Sequence, residues 1–248
     1  MFALNCCRSI SAIDTKSAMT KLFDTFKLVT GCLAAACDAR FPTVLQAWRN
    51  DPLQVGNTGT HFGFVQHGEA RLQTALGEFC LKEQMYFCVP GWFSIENGAG
   101  IVITRQDYQG LFVIGGRLEA SGRLRYINGC TDTLLIAPPV LGDPCLNALY
   151  FPPKIRQTPH THPSARIGII ASGAGECVLA NETVDLRAGD AFVIAPDVLH
   201  SFNTEREEMI VVAYHPDSDF GATDENHPMV NLTLVEGVSA TKIAAIRT

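Results

Sequence analysis

From residue 41 onward the chain is cut into short apolar runs by Gly, Asn, Asp and Pro, and this rhythm restricts it to few folds. The runs at 43–48, 60–65, 70–76, 78–81, 85–89, 100–104 and 111–115 are each bounded by residues that turn a chain. Many short strands with regular turn signals imply a sandwich or a barrel. After Ala137-Pro-Pro-Val-Leu-Gly-Asp-Pro144 the pattern restarts, with runs at 146–151, 166–170, 176–179, 184–186, 191–194 and 209–214. The expectation is an all-β chain of two tandem domains, 41–136 and 145–248, separated by a linker at 137–144. A tail rich in Asp, Gly and Pro (216–229) leads into a last run at 230–235.

Residues 1–40 read as an N-terminal extension. Within it, Met19, Leu22, Phe23 and Phe26 recur at the three-to-four spacing of one helical face, and Asp14 or Thr15 is placed to cap it. The spacing predicts a short helix over 14–27.

A chain of 248 residues with 47% apolar and 18% charged residues can bury a substantial core. Its formal net charge of -6, with no cluster of Lys or Arg, argues against a nucleic-acid surface. No run approaches the roughly 20 apolar residues that span a bilayer. The nine cysteines are odd in number, scattered, often inside apolar runs such as Phe79-Cys80-Leu81, and lack metal-finger spacing. That usage fits small buried hydrophobes in a reduced, cytoplasmic compartment.

The residues that carry chemistry lie between 157 and 203. Gln157-Thr-Pro-His-Thr-His-Pro-Ser-Ala-Arg166 holds His160 and His162 two apart, and on an extended chain such residues project the same way. His200 follows after Gly189-Asp190-Ala-Phe-Val-Ile-Ala-Pro-Asp197. Three imidazoles brought together suit a divalent transition metal. His215, at the end of the run 209–214, opens an acidic segment with Asp217, Asp219, Asp224 and Glu225, which reads as a solvated loop, or else as a cover for one barrel mouth or a contact with a partner subunit; Trp48 and Trp92 read as packing, and Tyr150 and Phe192 as pocket or barrel filling.

These residues resemble the cupin family, whose two motifs frame a jelly-roll β-barrel. The first family motif is HxH, three or four residues, Glu, six residues, Gly; here it reads His160-x-His162, three residues, Arg166, six residues, Gly173. The second is Gly, five residues, Pro-x-Gly-x-x-His, ending near an Asn; here it reads Gly189, five residues, Ala195-Pro-Asp197-Val-Leu-His200, then Asn203. Arg166 stands where the family places its fourth ligand, a Glu, and Asp197 replaces a motif glycine. The first half is similar to a second cupin without its ligands. With Gly68 set opposite Gly173, Val55 and Asn57 take the HxH positions, His61 falls where Arg166 lies, and Ser94 takes the third-histidine position. Phe23-Asp-Thr-Phe-Lys-Leu is loosely similar to the start of AraC-type sensor cupins; no helix-turn-helix pattern follows in the sequence.

The resemblance implies a bicupin with a structural first barrel and a metal held in the second by His160, His162 and His200. Fe is the expected metal, with Zn, Mn, Ni or Cu as alternatives. Three-histidine cupins include dioxygenases, so the implied function is an oxidoreductase acting on a small anionic, carboxylate-bearing substrate that Arg166 orients. A Zn- or Mn-dependent isomerase or lyase of sugar acids and a non-catalytic ligand sensor stay open, as does a purely structural Arg166 paired with Glu176 or Asp190, or turned away from the barrel. A homodimer is expected from the resemblance alone.

Overall fold

The computed structural model describes residues 22–217, 234–235 and 238–239. Its regular structure is strand, except for a 3-10 turn at Ile127–Gly129 among the described residues. Phe23–Phe26 (β1) stands first. The first half then contributes β2 (Gly31–Ala34), β3 (Thr43–Arg49), β4 (Leu53–Val55), β5 (Gly59–His67), β6 (Glu69–Thr74), β7 (Gly77–Lys82), β8 (Tyr86–Pro90), β9 (Phe93–Glu96), β10 (Ala99–Gln106) and β11 (Val113–Gly115). They form a six-stranded sheet in the order β11-β8-β5-β10-β3-β2 and a four-stranded sheet in the order β4-β9-β6-β7. Trp48, Val65, Phe87 and Val102 from the larger sheet meet Leu53, Leu72, Leu81, Phe93 and Ile95 from the smaller one in a closed core.

The second half follows with β12 (Leu124–Arg125), β13 (Thr131–Ile136), β14 (Cys145–Phe151), β15 (Arg166–Leu179), β16 (Thr183–Arg187), β17 (Ala191–Ile194), β18 (His200–Asn203) and β19 (Met209–His215). Its main sheet runs β1-β17-β15-β19-β14-β13-β12, and β16 and β18 pair with the far end of β15. A short hairpin, β20 (Leu234–Val235) with β21 (Val238–Ser239), is also described.

Strand alternation divides the apolar residues between two tasks. On β19, Met209, Val211 and Ala213 face the interior of the second barrel, while Ile210, Val212 and Tyr214 face outward into a core shared with the first half. Ile167 and Ile169 of β15 join that shared core, as do Leu45, Phe62, Ile101 and Ile103. The Phe62 and Tyr214 rings lie 5.0 Å apart across it. Two polar ties cross the same junction: Gln66 Nε2 donates to the Ala171 carbonyl (2.9 Å), and the Ala165 amide donates to Asp38 Oδ2 (2.9 Å).

Three expectations are corrected. The described part of the predicted helix 14–27 is strand: β1 pairs antiparallel with β17, and Phe23 stacks on Phe192 at 6.1 Å; residues 14–21 lie outside the described residues. Pairing with an existing sheet edge and burial of Phe23 outweigh helical spacing in so short a segment. The runs at 166–170 and 176–179 are one strand, β15, which bends at Gly173; its φ of 71° and a notional Cβ 1.8 Å from the Glu208 carbonyl oxygen leave no room for a side chain. Finally, the Pro-rich segment 137–144 turns between β13 and β14, which are neighbours in one sheet. Sheet pairing therefore assigns β1, β12 and β13 to the second half, ahead of that segment.

Candidate metal centre

His160 and His162 sit on the extended segment between β14 and β15, not within a strand. What fixes them is a two-bond backbone bridge to the first residue of β18: the His160 amide donates to the His200 carbonyl at 2.9 Å, and the His200 amide returns the bond at 3.0 Å. The ring centroids then lie 4.9 Å (His160–His162), 4.8 Å (His160–His200) and 5.4 Å (His162–His200) apart. One nitrogen from each ring lies within 4.8 Å of the others, and this is the one such cluster of His, Cys, Asp or Glu among the described residues.

The tautomers follow from the neighbours. Nδ1 of His160 is 2.9 Å from the Thr158 carbonyl and Nδ1 of His200 is 2.8 Å from the Val198 carbonyl. A carbonyl only accepts, so both Nδ1 atoms carry the proton and both Nε2 lone pairs are free to ligate. Burial, helped by Arg166 and the other two histidines, lowers His162 to about 3. Burial likewise brings His200 to about 4, against the pull of the Val198 carbonyl. Both are neutral at pH 7, the form a metal needs. Nitrogen ligands about 2.1 Å from one ion are at most about 4.2 Å apart, so a small inward turn of one ring closes the set. The donor set fits a divalent transition metal.

The histidines line a cavity of about 20 Å³ together with Tyr126, Arg166, Phe192, Phe202 and His215. That volume admits about one water molecule. Arg166 opens β15 and faces the barrel interior, as strand parity with Gly168 and Ile170 requires. Its NH1 donates to the Ser164 hydroxyl (2.6 Å), the Ser164 carbonyl (3.2 Å) and the Ala165 carbonyl (3.1 Å), while its buried Nε has no partner among the described residues. Its carboxylate neighbour is Asp217, 3.8 Å from NH1, and Asp217 also accepts from the Ser164 hydroxyl. Neither expected alternative partner reaches it: Asp190 is taken by Lys27 and the Arg187 amide, and Glu176 by Asn203. The side chain is not turned away.

Four comparisons bear on these findings. Residues 149–229 match a family model described as the AraC-like ligand binding domain. A cupin 2 conserved barrel domain protein from Leptotrichia buccalis superposes with a TM-score of 0.55 at 13% identity, over 80% of this chain and 90% of that one. A salicylate 1,2-dioxygenase from Pseudaminobacter salicylatoxidans gives a TM-score of 0.55 at 13% identity, over 71% of each chain, and a mutant of that enzyme has been solved in complex with gentisate. Protein Ylba from E. coli gives 0.54 at 20% identity, over 80% of this chain and 85% of that one. The chain has a cupin fold. No curated protein matches. The AraC-like match falls on the half that holds the histidines, not on the segment beginning at Phe23 that suggested such a likeness.

Within this cupin fold, Tyr126 and His215 are pocket residues that the motifs do not include. His215 ends β19 on the same face as Val211 and Ala213, and its ring lies 6.2 Å from that of His162. Burial first, then Arg166 and His162, hold it well below the usual histidine range. Its parity with Ala213 along β19 is the signal that could have placed it. Phe192 lines the cavity as expected, while Tyr150 belongs to the shared core between the halves.

The first barrel shows what replaces the histidines. Gly68 and Gly173 have matching φ values of 76° and 71°, as their alignment requires. Val55 pairs with Phe93 as His160 pairs with His200. Thr74 pairs with Phe93 as Leu179 pairs with His200. The third-histidine position is therefore Phe93 and not Ser94, because the connection before β9 (91–92) is shorter than that before β18 (195–199). His61, at the position of Arg166, is fully buried against Phe93 at a centroid distance of 5.3 Å, with its Nδ1 2.9 Å from the Thr104 hydroxyl.

Proposed function

We propose that the second barrel holds a divalent transition metal through Nε2 of His160, Nε2 of His200 and one nitrogen of His162, and that it acts on a small carboxylate-bearing ligand as a dioxygenase-type oxidoreductase. The observation that carries this reading is the pair of Nδ1–carbonyl bonds on His160 and His200, which leave two Nε2 lone pairs free beside a third neutral imidazole in a cluster with one nitrogen of each ring within 4.8 Å of the others. Three neutral ligands leave the metal its full charge and open coordination positions, which supply Lewis-acid or redox chemistry. Fe suits this ligand set, and Zn, Mn, Ni and Cu compete for it.

The protein residues do the selecting. Arg166 adds a buried positive charge beside the histidines, and Asp217 offsets part of it. An incoming anion gains from both cations, and a carboxylate can accept from the guanidinium while reaching toward the histidines. Phe192, Phe202 and Leu149 keep the pocket wall apolar, which strengthens these interactions by excluding water. The dioxygenase likeness in fold and the gentisate complex of that neighbour support the choice of chemistry and of an anionic ligand.

A second reading, a ligand sensor without turnover, is favoured by the AraC-like ligand binding match over 149–229 and by the small volume of the cavity. The test is elemental analysis of protein prepared without chelator, followed by oxygen uptake with a panel of aromatic and keto acids. One transition-metal ion per chain, lost in His200→Ala, together with substrate-dependent oxygen uptake is the expected result. Metal binding without uptake or any other turnover moves the assignment to the sensor. A protein that stays metal-free after growth with added Fe, Mn and Zn overturns the metal-dependent reading.

A further inference from the structure

Arg166 is almost enclosed, with 11% of its side chain exposed, and its contacts are unevenly spread. NH1 is committed to three oxygens of Ser164 and Ala165, whereas Nε is buried without an acceptor among the described residues. Leaving a buried donor of a cation unpaired is costly, so this edge of the guanidinium favours an incoming oxygen. The NH1 side has a carboxylate close by. Asp217 lies 3.8 Å from NH1 and is held by the hydroxyl of Ser164, itself 1% exposed, which accepts from Arg166 and donates to Asp217. The chain Arg166–Ser164–Asp217 thus ends in an anion supplied by the protein, and its first member, Arg166, lines a cavity that admits one water molecule.

We propose that Asp217 is an internal carboxylate that occupies Arg166 and competes with the carboxylate of an incoming ligand. This rests on the reading of Arg166 as the anion anchor of the centre. In the state described, Asp217 neutralises the guanidinium and the pocket is small. A ligand carboxylate that accepts from Nε weakens the hold of Arg166 on Ser164 and Asp217, so binding and release of Asp217 are linked. The consequence is selectivity: an anion binds the guanidinium against the charge of a carboxylate already beside it, which favours planar oxyanions able to accept directed N–H bonds over spherical anions. The competition also sets the sign of a substitution. A purely structural Asp217 would, on removal, disturb Arg166 and weaken anion binding; a competing one would, on removal, strengthen it.

The experiment uses full-length, chelator-treated protein, so that its outcome is independent of the metal, with formate as the probe and chloride as the spherical comparison. The Nε–H signal of Arg166, assigned by its loss in Arg166→Lys, is followed during titration. Asp217→Asn is expected to bind formate about tenfold more tightly than the wild type, and Ser164→Ala about threefold more tightly, with little gain for chloride. Where Asp217→Asn fails to fold, Ser164→Ala carries the test. Equal or weaker formate binding in the folded variants, or no response of Arg166 in any of them, overturns the proposal. Loss of metal binding with the formate result intact would instead strike only the metal reading.

Discussion

Phe93 stands to Val55 in the first barrel as His200 stands to His160 in the second, each pair joined across the barrel by antiparallel backbone pairing. The same backbone thus carries two different interiors: three imidazoles around a small cavity in one, and a phenyl ring packed on His61 and Phe87 in the other. Phe93 is 1% exposed and bridges the two sheets of the first barrel. Phe93→Ala should therefore cost about 3–5 kcal/mol, whereas Ser94→Ala, on the half-buried neighbouring position, should stay within about 0.5 kcal/mol. Urea unfolding of the two variants compares them directly. A larger loss for Ser94→Ala would mean that the register between the barrels has been misread.

The fold was legible because its signals are local. Alternating apolar runs and turn residues mark β3, β5, β8, β10, β14, β17 and β19, and motif spacing brings His160, His162 and His200 to one point. What escaped depends on distant partners. β1 is a strand only because β17 offers it an edge, and Phe23–Phe26 is too short to declare this itself. Asp217 reads in sequence as part of a solvated loop, with a cover over one barrel mouth or a partner contact as the alternatives, and nothing near it in sequence reveals that Ser164 lies against it. The one-residue slip from Phe93 to Ser94 came from counting across a turn whose length differs between the halves.

His61 sets a pH dependence of known sign. Full burial lowers its pKa from the usual 6.5 to about 4, opposed by the Gly56 and Gly91 carbonyls. Between those values the unfolded chain binds a proton that the folded chain refuses, so the stability this neutral ring allows is intact above about pH 6.5 and is lost as the pH falls toward 4. His162 and His200 act in the same direction. In metal-free protein, His61→Leu should flatten the decline of unfolding free energy across this window by up to about 1.4 kcal/mol per pH unit, the value for one proton. Denaturant unfolding at intervals from pH 7 to 4 measures both slopes, and parallel curves for variant and wild type would refute the assignment.

The core shared by the halves makes a last prediction about cooperativity. Phe62, Ile101 and Ile103 on one side, and Ile167, Val212 and Tyr214 on the other, are all nearly inaccessible. Separating the halves would expose both faces, and the second half would also lose β1 from the edge of its sheet. Calorimetry of the full chain should give one transition, because neither half can unfold while leaving the other its buried face. Tyr214→Ala should lower that single transition by about 3–5 kcal/mol of stability without dividing it. A fragment beginning at residue 120, which keeps β12 to β19, should bind a hydrophobic dye and melt without a sharp midpoint. Two resolved transitions in the full chain, or a monomeric fragment with a sharp one, would show that the barrels fold independently and that the junction is only an interface.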